Sequence, residues 1–418
     1  MPFTTKGETA MDFLDTRTYT EEQEAFRKEV RAWFEENARP PAGMVLPREA
    51  GDITPDAEAW GLEFRRKLGA KGWYSPTWPK EYGGGGLPAE LAVVLNEERS
   101  KFPTPYVYSN DAGLPPIMVW GTEEQKQKFL PPALRGEVIL WEALSEPEVG
   151  SDAASIKTRA TRDGDAYIVN GTKAFIGGPT KPDFIWTTTV TDPDRPRHEN
   201  MGAFYIPADL PGVSWSKMDL IVNVAKNLIY FDNVRVPAEY LVGGENEGWR
   251  VTQTTLEMAH GAGGNIGGGR AAFVQRLIEY AKATERDGQL IADDPEMQDL
   301  LMQTYISGEV LRLLGLRNFW MARNRQRMSF HGSQSFLMGK WHSMGLGNVA
   351  LKVLGPYAML DDEKWAPFNG MFEEQQRQAI VAHHPGGSSE IQKLIMARRL
   401  GLSRTREEAA PTHLTASR

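Results

Sequence analysis

Two different spacings of apolar residues divide this chain of 418 residues. Over residues 1–137, and again over 243–404, apolar residues recur every three or four positions, which is the spacing of an amphipathic helix. Over 138–242 the apolar runs are short and turn-forming residues separate them, which predicts antiparallel β-strands. The order helix, strand, helix therefore predicts an α+β protein with an N-terminal helical domain, a middle antiparallel β domain and a C-terminal helical bundle, followed by a tail over 405–418.

The local sequence marks two helix starts. Thr20 and Thr122 each precede acidic residues, which is the pattern of a capping threonine followed by an acidic first turn. By contrast, residues 72–86 combine glycine, proline and aromatic residues. This segment is not expected to form a regular element.

Composition narrows the class of protein. Acidic residues outnumber basic ones by 55 to 47, and no basic run alternates with aromatic residues, so nucleic acid is not an expected partner. The chain has no cysteine, which excludes disulfides, thiolate catalysis and cysteine-ligated metals. His383 and His384 have no third ligand at metal spacing, so no metal site is expected. The absence of a secretory signal and of a long apolar run favours a cytoplasmic protein without a membrane span.

Candidate chemistry is concentrated in two segments of the β region. Residues 144–152 read LSEPEVGSD, a turn-rich loop with hydroxyls from Ser145 and Ser151 and with a glycine, Gly150, that can adopt backbone angles closed to other residues. Residues 170–178 read NGTKAFIGG and begin with a strong hairpin-turn signal. Strand edges with small polar side chains suit a flat heterocycle, although an ordinary hairpin and loop in a small β domain would show the same pattern.

Together these segments resemble the acyl-CoA dehydrogenase family, which carries T/S-E-P-x-x-G-S-D followed by N-G-x-K-x-W-I-T. The resemblance covers residues 12–404 and implies a three-domain flavoprotein with FAD as its cofactor. It implies that Leu144 and Ser145 face the flavin ring. It also implies that Gly150 and Ser151 lie near the flavin or the acyl-CoA, with Ser151 among the substrate-binding residues.

Two positions depart from the family pattern. Phe175 stands where the family usually has a tryptophan against the flavin, and Gly177 stands where it usually has a threonine near the reactive flavin nitrogen. For the adenine end of FAD, the resemblance points to Arg286 and Gln289, reaching in from a neighbouring subunit. Three alternatives stay open at that end: Gln289 replaces some family contacts, a different partner subunit supplies them, or flavin binding is weak or absent.

The reaction that the resemblance implies is α,β-dehydrogenation, in which a carboxylate removes the α proton while the β hydrogen leaves as hydride to flavin N5. Gly386 stands at the usual family position of that carboxylate, and Gly386 and Gly387 are assigned to substrate binding. A minority of the family carries the base on an earlier helix, in a segment that residues 256–264 resemble. This likeness implies Glu257 as the general base. Such a carboxylate needs a dry pocket, where desolvation brings its pKa toward the working pH.

Three other residues bear on this assignment. Glu390 is a competing base, but its place in the first turn of an expected helix favours a role in helix electrostatics. His260 lies three residues past Glu257, and a lone histidine on a helix is more often structural. Met258 replaces an arginine that the family commonly has for the CoA portion of the substrate.

The resemblance therefore implies an FAD-dependent acyl-CoA dehydrogenase, with an electron-transfer flavoprotein as its electron acceptor. The glycine turn at 386–387 favours a branched or ring-bearing acyl group. A homodimer, a homotetramer or a heterotetramer is expected. Three alternatives remain: a subunit of a heteromeric dehydrogenase that shares flavin sites with a non-identical chain, a flavin oxidase or monooxygenase of the same fold on a non-CoA substrate, and a flavin-free binding protein.

Overall fold

The fold is that of a computed structural model, which describes residues 19–47, 49–110, 113–257, 269–324, 326, 328–362 and 364–406. Along these residues, helices come first, a β-sheet follows, and a second set of helices ends the chain. The predicted α+β class is therefore confirmed. The domain boundaries at 137, 242 and 404 stay a prediction.

The N-terminal layer begins both of its expected helices with a capping box. The Thr20 hydroxyl accepts a hydrogen bond from Gln23 N, and the Gln23 side chain accepts one from Thr20 N. Thr122 and Gln125 repeat this arrangement. Residues 72–86 form turns, as their composition predicts, except for one short 3-10 helix at Lys80–Tyr82. The helices of this layer are α1 (Glu21–Asn37), α2 (Pro55–Ala70), α3 (Ala89–Arg99), α4 (Leu114–Trp120) and α5 (Glu123–Leu134).

The middle layer is a single sheet. Its strands are β1 (Leu140–Ala143), β2 (Arg159–Asp163), β3 (Ala166–Ile176), β4 (Phe184–Val190), β5 (Met201–Pro207), β6 (Val213–Lys217), β7 (Asn227–Pro237) and β8 (Leu241–Val242). They lie in the order β6-β7-β3-β2-β4-β5-β8, and β1 pairs with β4.

The sheet differs from the wholly antiparallel one that the sequence predicts. Strand β1 runs parallel to β4, and one residue pair joins β2 to β4 in parallel. The reason is topological: the chain leaves β1, forms the β2–β3 hairpin, and returns along β4 in the original direction. The long segment between β1 and β4 contains both motif segments, so this crossover places them at one end of the sheet.

The C-terminal layer is a helical bundle with a small hairpin on it. The helices are α6 (Gly248–Glu257), α7 (Gly269–Ala283), α8 (Pro295–Arg323), α9 (His331–Leu354), α10 (Met371–Val381) and α11 (Ser389–Arg399), and the hairpin strands are β9 (Glu285–Arg286) and β10 (Gln289–Leu290). Helix α9 packs against α8, α10 and α11.

A single carboxylate joins the three layers. The Arg377 guanidinium of α10 donates to Glu49 at 2.6 Å and to the carbonyl of Ile221 at 3.0 Å. The backbone N–H of Asn223 also donates to Glu49. The N-terminal layer, the sheet and the bundle therefore meet at one hydrogen-bonded junction.

Two kinds of feature are absent from the residues that the structure describes: a membrane-spanning helix and a cluster of metal ligands. No helix in them has both the length and the apolar character that crossing a membrane requires. The same residues contain no group of three or more His, Cys, Asp or Glu side chains placed to hold a metal ion.

Candidate active site

A buried ion pair holds the two motif segments together. Lys173 Nζ lies 2.9 Å from Glu146 Oε1, and both side chains are almost completely buried. Glu146 also accepts hydrogen bonds from the backbone N–H of Lys157 at 2.7 Å and of Thr158 at 3.0 Å. Burial alone would raise the pKa of Glu146, but the Lys173 charge and these N–H groups hold the pKa below its usual value. Glu146 is therefore an ionised structural anchor of the loop.

Strand β3 reaches the loop through this lysine. Lys173 Nζ donates to the carbonyl of Thr188 on β4 at 2.9 Å as well as to Glu146. In the next residue, Ala174 N donates to Ser145 O at 2.9 Å. The two motif segments are therefore side by side, with Ser145 next to the end of β3.

Phe175 is turned outward by a β-bulge. The β3–β7 register shifts between Lys173 and Ile176, and Phe175 has a φ of +63°. A positive φ is rare for an aromatic residue, and bulges near active sites re-aim side chains. Phe175 is 55% exposed. Leu144 and Ser145, both half-buried, adjoin it and complete an open face, here called the Phe175 face.

Gly177 is the second departure from the family pattern, and its neighbour Trp141 explains it. A Cβ atom on Gly177 would lie 2.2 Å from the Trp141 ring, and Gly177 has a φ of +70°. Trp141 is 1% exposed, and its buried Nε1–H has no hydrogen-bond partner in the described chain. The tryptophan therefore occupies the volume that a threonine side chain would need.

These features fit a flavin at the Phe175 face. An exposed aromatic ring offers a flat apolar surface, and the half-buried Ser145 beside it offers a hydroxyl. A ring system with carbonyl and nitrogen acceptors matches this set. Gly150 and Ser151 lie at the exposed tip of the same loop, beyond the tight turn closed by the Glu146–Val149 backbone pair.

Two half-buried charged residues, Glu142 and Lys226, were not predicted from the sequence, and Lys226 lies next to Gly177. Lys226 Nζ donates to Gly177 O at 2.7 Å. Burial raises the pKa of Glu142 to about 7, against the effect of the Lys226 charge, and burial lowers the pKa of Lys226. Glu142 lies within the apolar run 138–144 of strand β1. A lone carboxylate within an otherwise apolar run was the sequence signal that could have identified Glu142.

The structure buries Glu257, the predicted base, at the end of α6. Arg399 contacts both of its carboxylate oxygens, with Nη1 3.1 Å from Oε2. Arg399 Nη1 also donates to Ser329 O at 3.0 Å. Met258 and His260 lie outside the described residues. The carboxylate is therefore held inside the bundle by the last residue of α11.

Gly386 and Gly387 form the turn before α11, with φ of +65° and +78°. Lys340 supports this turn, because its Nζ donates to the carbonyls of Ala382 at 2.6 Å and Pro385 at 2.7 Å. Burial lowers the pKa of Lys340 to about 8.

The glycine turn precedes the first residue of α11, whereas Glu257 contacts its last residue. A helix of 11 residues is about 16 Å long, so the chain does not bring Glu257 and Gly386 together. Glu390 lies exposed in the first turn of the same helix. Backbone hydrogen bonding there holds its pKa below the usual value, in agreement with the helix-end role that the sequence predicts.

Arg286 and Gln289 face each other across the β9–β10 hairpin. Arg286 donates to the carbonyls of Lys352 at 3.1 Å and Val353 at 2.6 Å, near the C-terminal end of α9. Both residues thus belong to the helical bundle, and within one chain Arg286 stabilises a helix end. Their role toward the adenine end of FAD stays a prediction.

Comparisons with known proteins agree along the whole chain. Family models for the acyl-CoA dehydrogenase N-terminal, middle and C-terminal domains match residues 20–137, 142–234 and 246–401. Acyl-CoA dehydrogenase FadE29 of Mycobacterium tuberculosis is 30% identical over 388 residues, which are 90% of this chain and 96% of that protein. Acyl-CoA dehydrogenase IpdE1 of the same organism is 30% identical over 394 residues, 91% of this chain and 98% of its own length.

Two solved structures have a similar fold. The Tcur3481-Tcur3483 steroid ACAD is 28% identical, with a TM-score of 0.76 over 93% of this chain and 99% of that chain. A chain of the ChsE4-ChsE5 complex from Mycobacterium tuberculosis is 26% identical, with a TM-score of 0.76 over 93% of this chain and 100% of that chain.

The contact between Trp141 and Gly177 can be tested by a double-mutant cycle. We expect Gly177→Thr to destabilise the protein by about 1–3 kcal/mol, since the new side chain overlaps the Trp141 ring. On a Trp141→Ala background the same substitution should cost less. Thermal unfolding of the four proteins measures both effects. Equal losses in the two backgrounds would contradict the overlap.

Glu142 should give the folding stability a pH dependence. Its folded pKa is raised from 4.5 to about 7, so between these values the folded protein keeps a proton that the unfolded chain has lost. The free energy of unfolding should therefore fall as the pH rises through this interval. Urea titrations at several pH values should show a flatter profile for Glu142→Gln. Glu390→Gln is the exposed control, and an unchanged slope in Glu142→Gln would refute the prediction.

Proposed function

Because this chain belongs to the acyl-CoA dehydrogenase family, we propose that it oxidises an acyl-CoA thioester between the α and β carbons. It is an oxidoreductase with FAD as its cofactor. When bound, FAD supplies the acceptor for the hydrogen that leaves the β carbon. The observation that carries the proposal is the Phe175 face, an open aromatic surface on a loop that the Glu146–Lys173 ion pair makes rigid.

We assign removal of the α proton to Glu257. An α C–H beside a thioester is only weakly acidic, so the acceptor must be a carboxylate held away from water. Glu257 is buried, and Arg399 fixes the orientation of its carboxylate. The Ser329 carbonyl also accepts a hydrogen bond from Arg399 and so helps to hold the guanidinium beside Glu257.

Glu142 is the second candidate for the proton acceptor. Its raised pKa of about 7 is suited to a base that works near neutral pH. It also lies on strand β1 two residues before Leu144, on the strand that leads into the Phe175 face. Glu142 and Glu257 are therefore both candidates for the group that accepts the α proton.

We propose a bulky, ring-bearing acyl group as the substrate. Gly386 and Gly387 carry no side chain, and their positive φ angles disfavour one, so the turn before α11 leaves space for a ring. The similarity to the solved Tcur3481-Tcur3483 steroid ACAD, which is 28% identical, supports the same class of substrate.

We propose that the chain works with a non-identical subunit and passes electrons to an electron-transfer flavoprotein. Two solved relatives are named as pairs of different chains, Tcur3481-Tcur3483 and ChsE4-ChsE5. Helix α8 exposes an apolar stripe at helical spacing, formed by Met302, Tyr305, Ile306 and Val310. An exposed apolar stripe of this kind is typical of a protein interface.

The dehydrogenase assignment predicts loss of the visible flavin band. FAD-loaded protein mixed with a steroid side-chain CoA thioester should bleach. Glu257→Gln should slow bleaching by about a hundredfold or more, while the starting flavin absorbance is unchanged. Glu390→Gln is the matched control and should bleach like the unmodified protein.

Two other outcomes would change the assignment. If Glu142→Gln abolishes bleaching and Glu257→Gln does not, the proton acceptor is Glu142. If no CoA thioester bleaches the flavin, the proposed function is wrong. Rapid reoxidation of the chemically reduced protein by air would then favour the oxidase alternative.

The heteromeric assembly predicts a difference between two preparations. Protein purified alone should contain little flavin, and co-expression with a non-identical family member from the same genome should give a complex with more. Flavin absorbance per chain measures the cofactor content of each preparation, and light scattering measures the mass of the assembly. A homo-oligomer with one FAD per chain would contradict it.

A further inference from the structure

The glycine turn at 386–387 is tied to a lysine on another helix. Lys340 of α9 is 5% exposed. Its Nζ donates to the carbonyls of Ala382 at 2.6 Å and Pro385 at 2.7 Å, which are 42 and 45 positions away in the chain. Lys340 therefore fixes the segment before α11 relative to α9.

The charge of Lys340 suits this place. Ala382 is the C-cap of α10, so its carbonyl lies at the negative end of that helix dipole. The Lys340 ammonium also lies 4.7 Å from the centre of the Phe336 ring on α9. Two carbonyls and an aromatic face thus compensate for the burial of the ammonium group.

The other hydrogen bonds of the turn are local. Gln392 of α11, for example, donates from Nε2 to the carbonyl of Gly386 at 2.8 Å. Bonds of this kind fix the shape of the turn. In the part of the chain that the structure describes, Lys340 is the one hydrogen-bonding partner of residues 382–389 that lies outside 378–392. The placement of the turn within the bundle therefore depends on Lys340.

Two adjacent glycines need such support. Gly386 and Gly387 have φ angles of +65° and +78°, and neither has a side chain that could pack against a neighbour. Glycine also loses more conformational freedom on folding than any other residue. The residues that bond to this turn therefore have to supply the order that its own side chains cannot.

The turn is open to a ligand on its outer side. His384, Pro385 and Gly386 are exposed, whereas Lys340, which bonds to the same segment, is buried. A ligand can therefore reach the turn from outside while Lys340 holds it from within the bundle.

We propose that Lys340 is a positioning residue for the acyl group, because it holds the glycine turn in the place where the ring-bearing substrate binds. This inference rests on the proposed function, since it takes the turn to contact the acyl group. Glu257 contacts the far end of α11, a helix of 11 residues that is about 16 Å long. A displaced turn should therefore weaken substrate binding more than it slows proton removal.

The test follows bleaching of the FAD-loaded protein at increasing concentrations of a steroid side-chain CoA thioester. Lys340→Met removes the donor and keeps a side chain of similar length. We expect the half-saturating concentration to rise about tenfold, the factor that one net hydrogen bond is worth. The limiting bleaching rate should stay within about threefold, because the group that removes the proton is unchanged.

Lys393→Met is the matched control. Lys393 is exposed on α11, and its ammonium lies 5.5 Å from the centre of the Trp341 ring. Both kinetic values of this variant should match those of the unmodified protein. The proposal fails if Lys340→Met leaves the half-saturating concentration unchanged, if its loss is confined to the limiting rate, or if Lys393→Met has the same effect.

Lys340→Gln covers the case in which Lys340→Met does not fold. Glutamine keeps a donor but is shorter and has no charge, so the half-saturating concentration should again rise while the limiting rate is kept. On the unmodified protein, the bound thioester should also slow amide hydrogen exchange over residues 378–392. An unchanged concentration in Lys340→Gln, or no slowing of exchange, would overturn the proposal.

Failure of the proposed function can be told apart from failure of this inference. If no CoA thioester bleaches the flavin, amide hydrogen exchange tests the turn alone. Exchange over residues 378–392 should be faster in Lys340→Met than in the unmodified protein and in Lys393→Met. That result would support the positioning role and place the error in the proposed function. Equal exchange in the three proteins would show that Lys340 does not hold the turn.

Discussion

The ion pair between Glu146 and Lys173 is the constraint on which the candidate site depends. Each residue lies in a different motif segment, and each is almost completely buried. Removing either partner would leave the other as an uncompensated buried charge, a loss of about 3–5 kcal/mol in comparable cases. These two residues carry no chemistry of their own. They determine where the Phe175 face lies.

Around that fixed frame, the two departures from the family pattern are structurally compensated. A side chain at Gly177 would overlap the Trp141 ring, and the N–H of Trp141 has no hydrogen-bond partner among the residues that the structure describes. Phe175 keeps an aromatic ring at the family position, and a β-bulge with a positive φ turns it outward. At both positions where the sequence departs from the family pattern, neighbouring structure therefore differs as well: a tryptophan ring packs against Gly177, and a β-bulge exposes Phe175.

The seam between the N-terminal helices and the sheet holds several charges away from bulk water. Lys226 donates to Gly177 O, Glu142 lies on β1 close enough for the Lys226 charge to act on it, and Arg65 is buried on α2. An interior built for a plain hydrocarbon chain would bury apolar side chains there, because unpaired charges are expensive. In the C-terminal bundle, by contrast, the Glu257 carboxylate and the Arg399 guanidinium form an ion pair.

Local sequence determined the elements whose signals are local. The capping threonines, the change from helical to strand spacing and the two loop motifs could all be read from neighbouring residues, because caps, periodicity and turns depend on contacts within a few positions. The family likeness added FAD and the reaction class. Tertiary structure alone decided which distant residues meet: Trp141 with Gly177, Glu257 with Arg399, and Arg65 with the Val138 carbonyl. Burial and pairing of a charge depend on residues far apart in the chain, so a lone glutamate or arginine in the sequence does not show whether it is solvated, paired or unpaired.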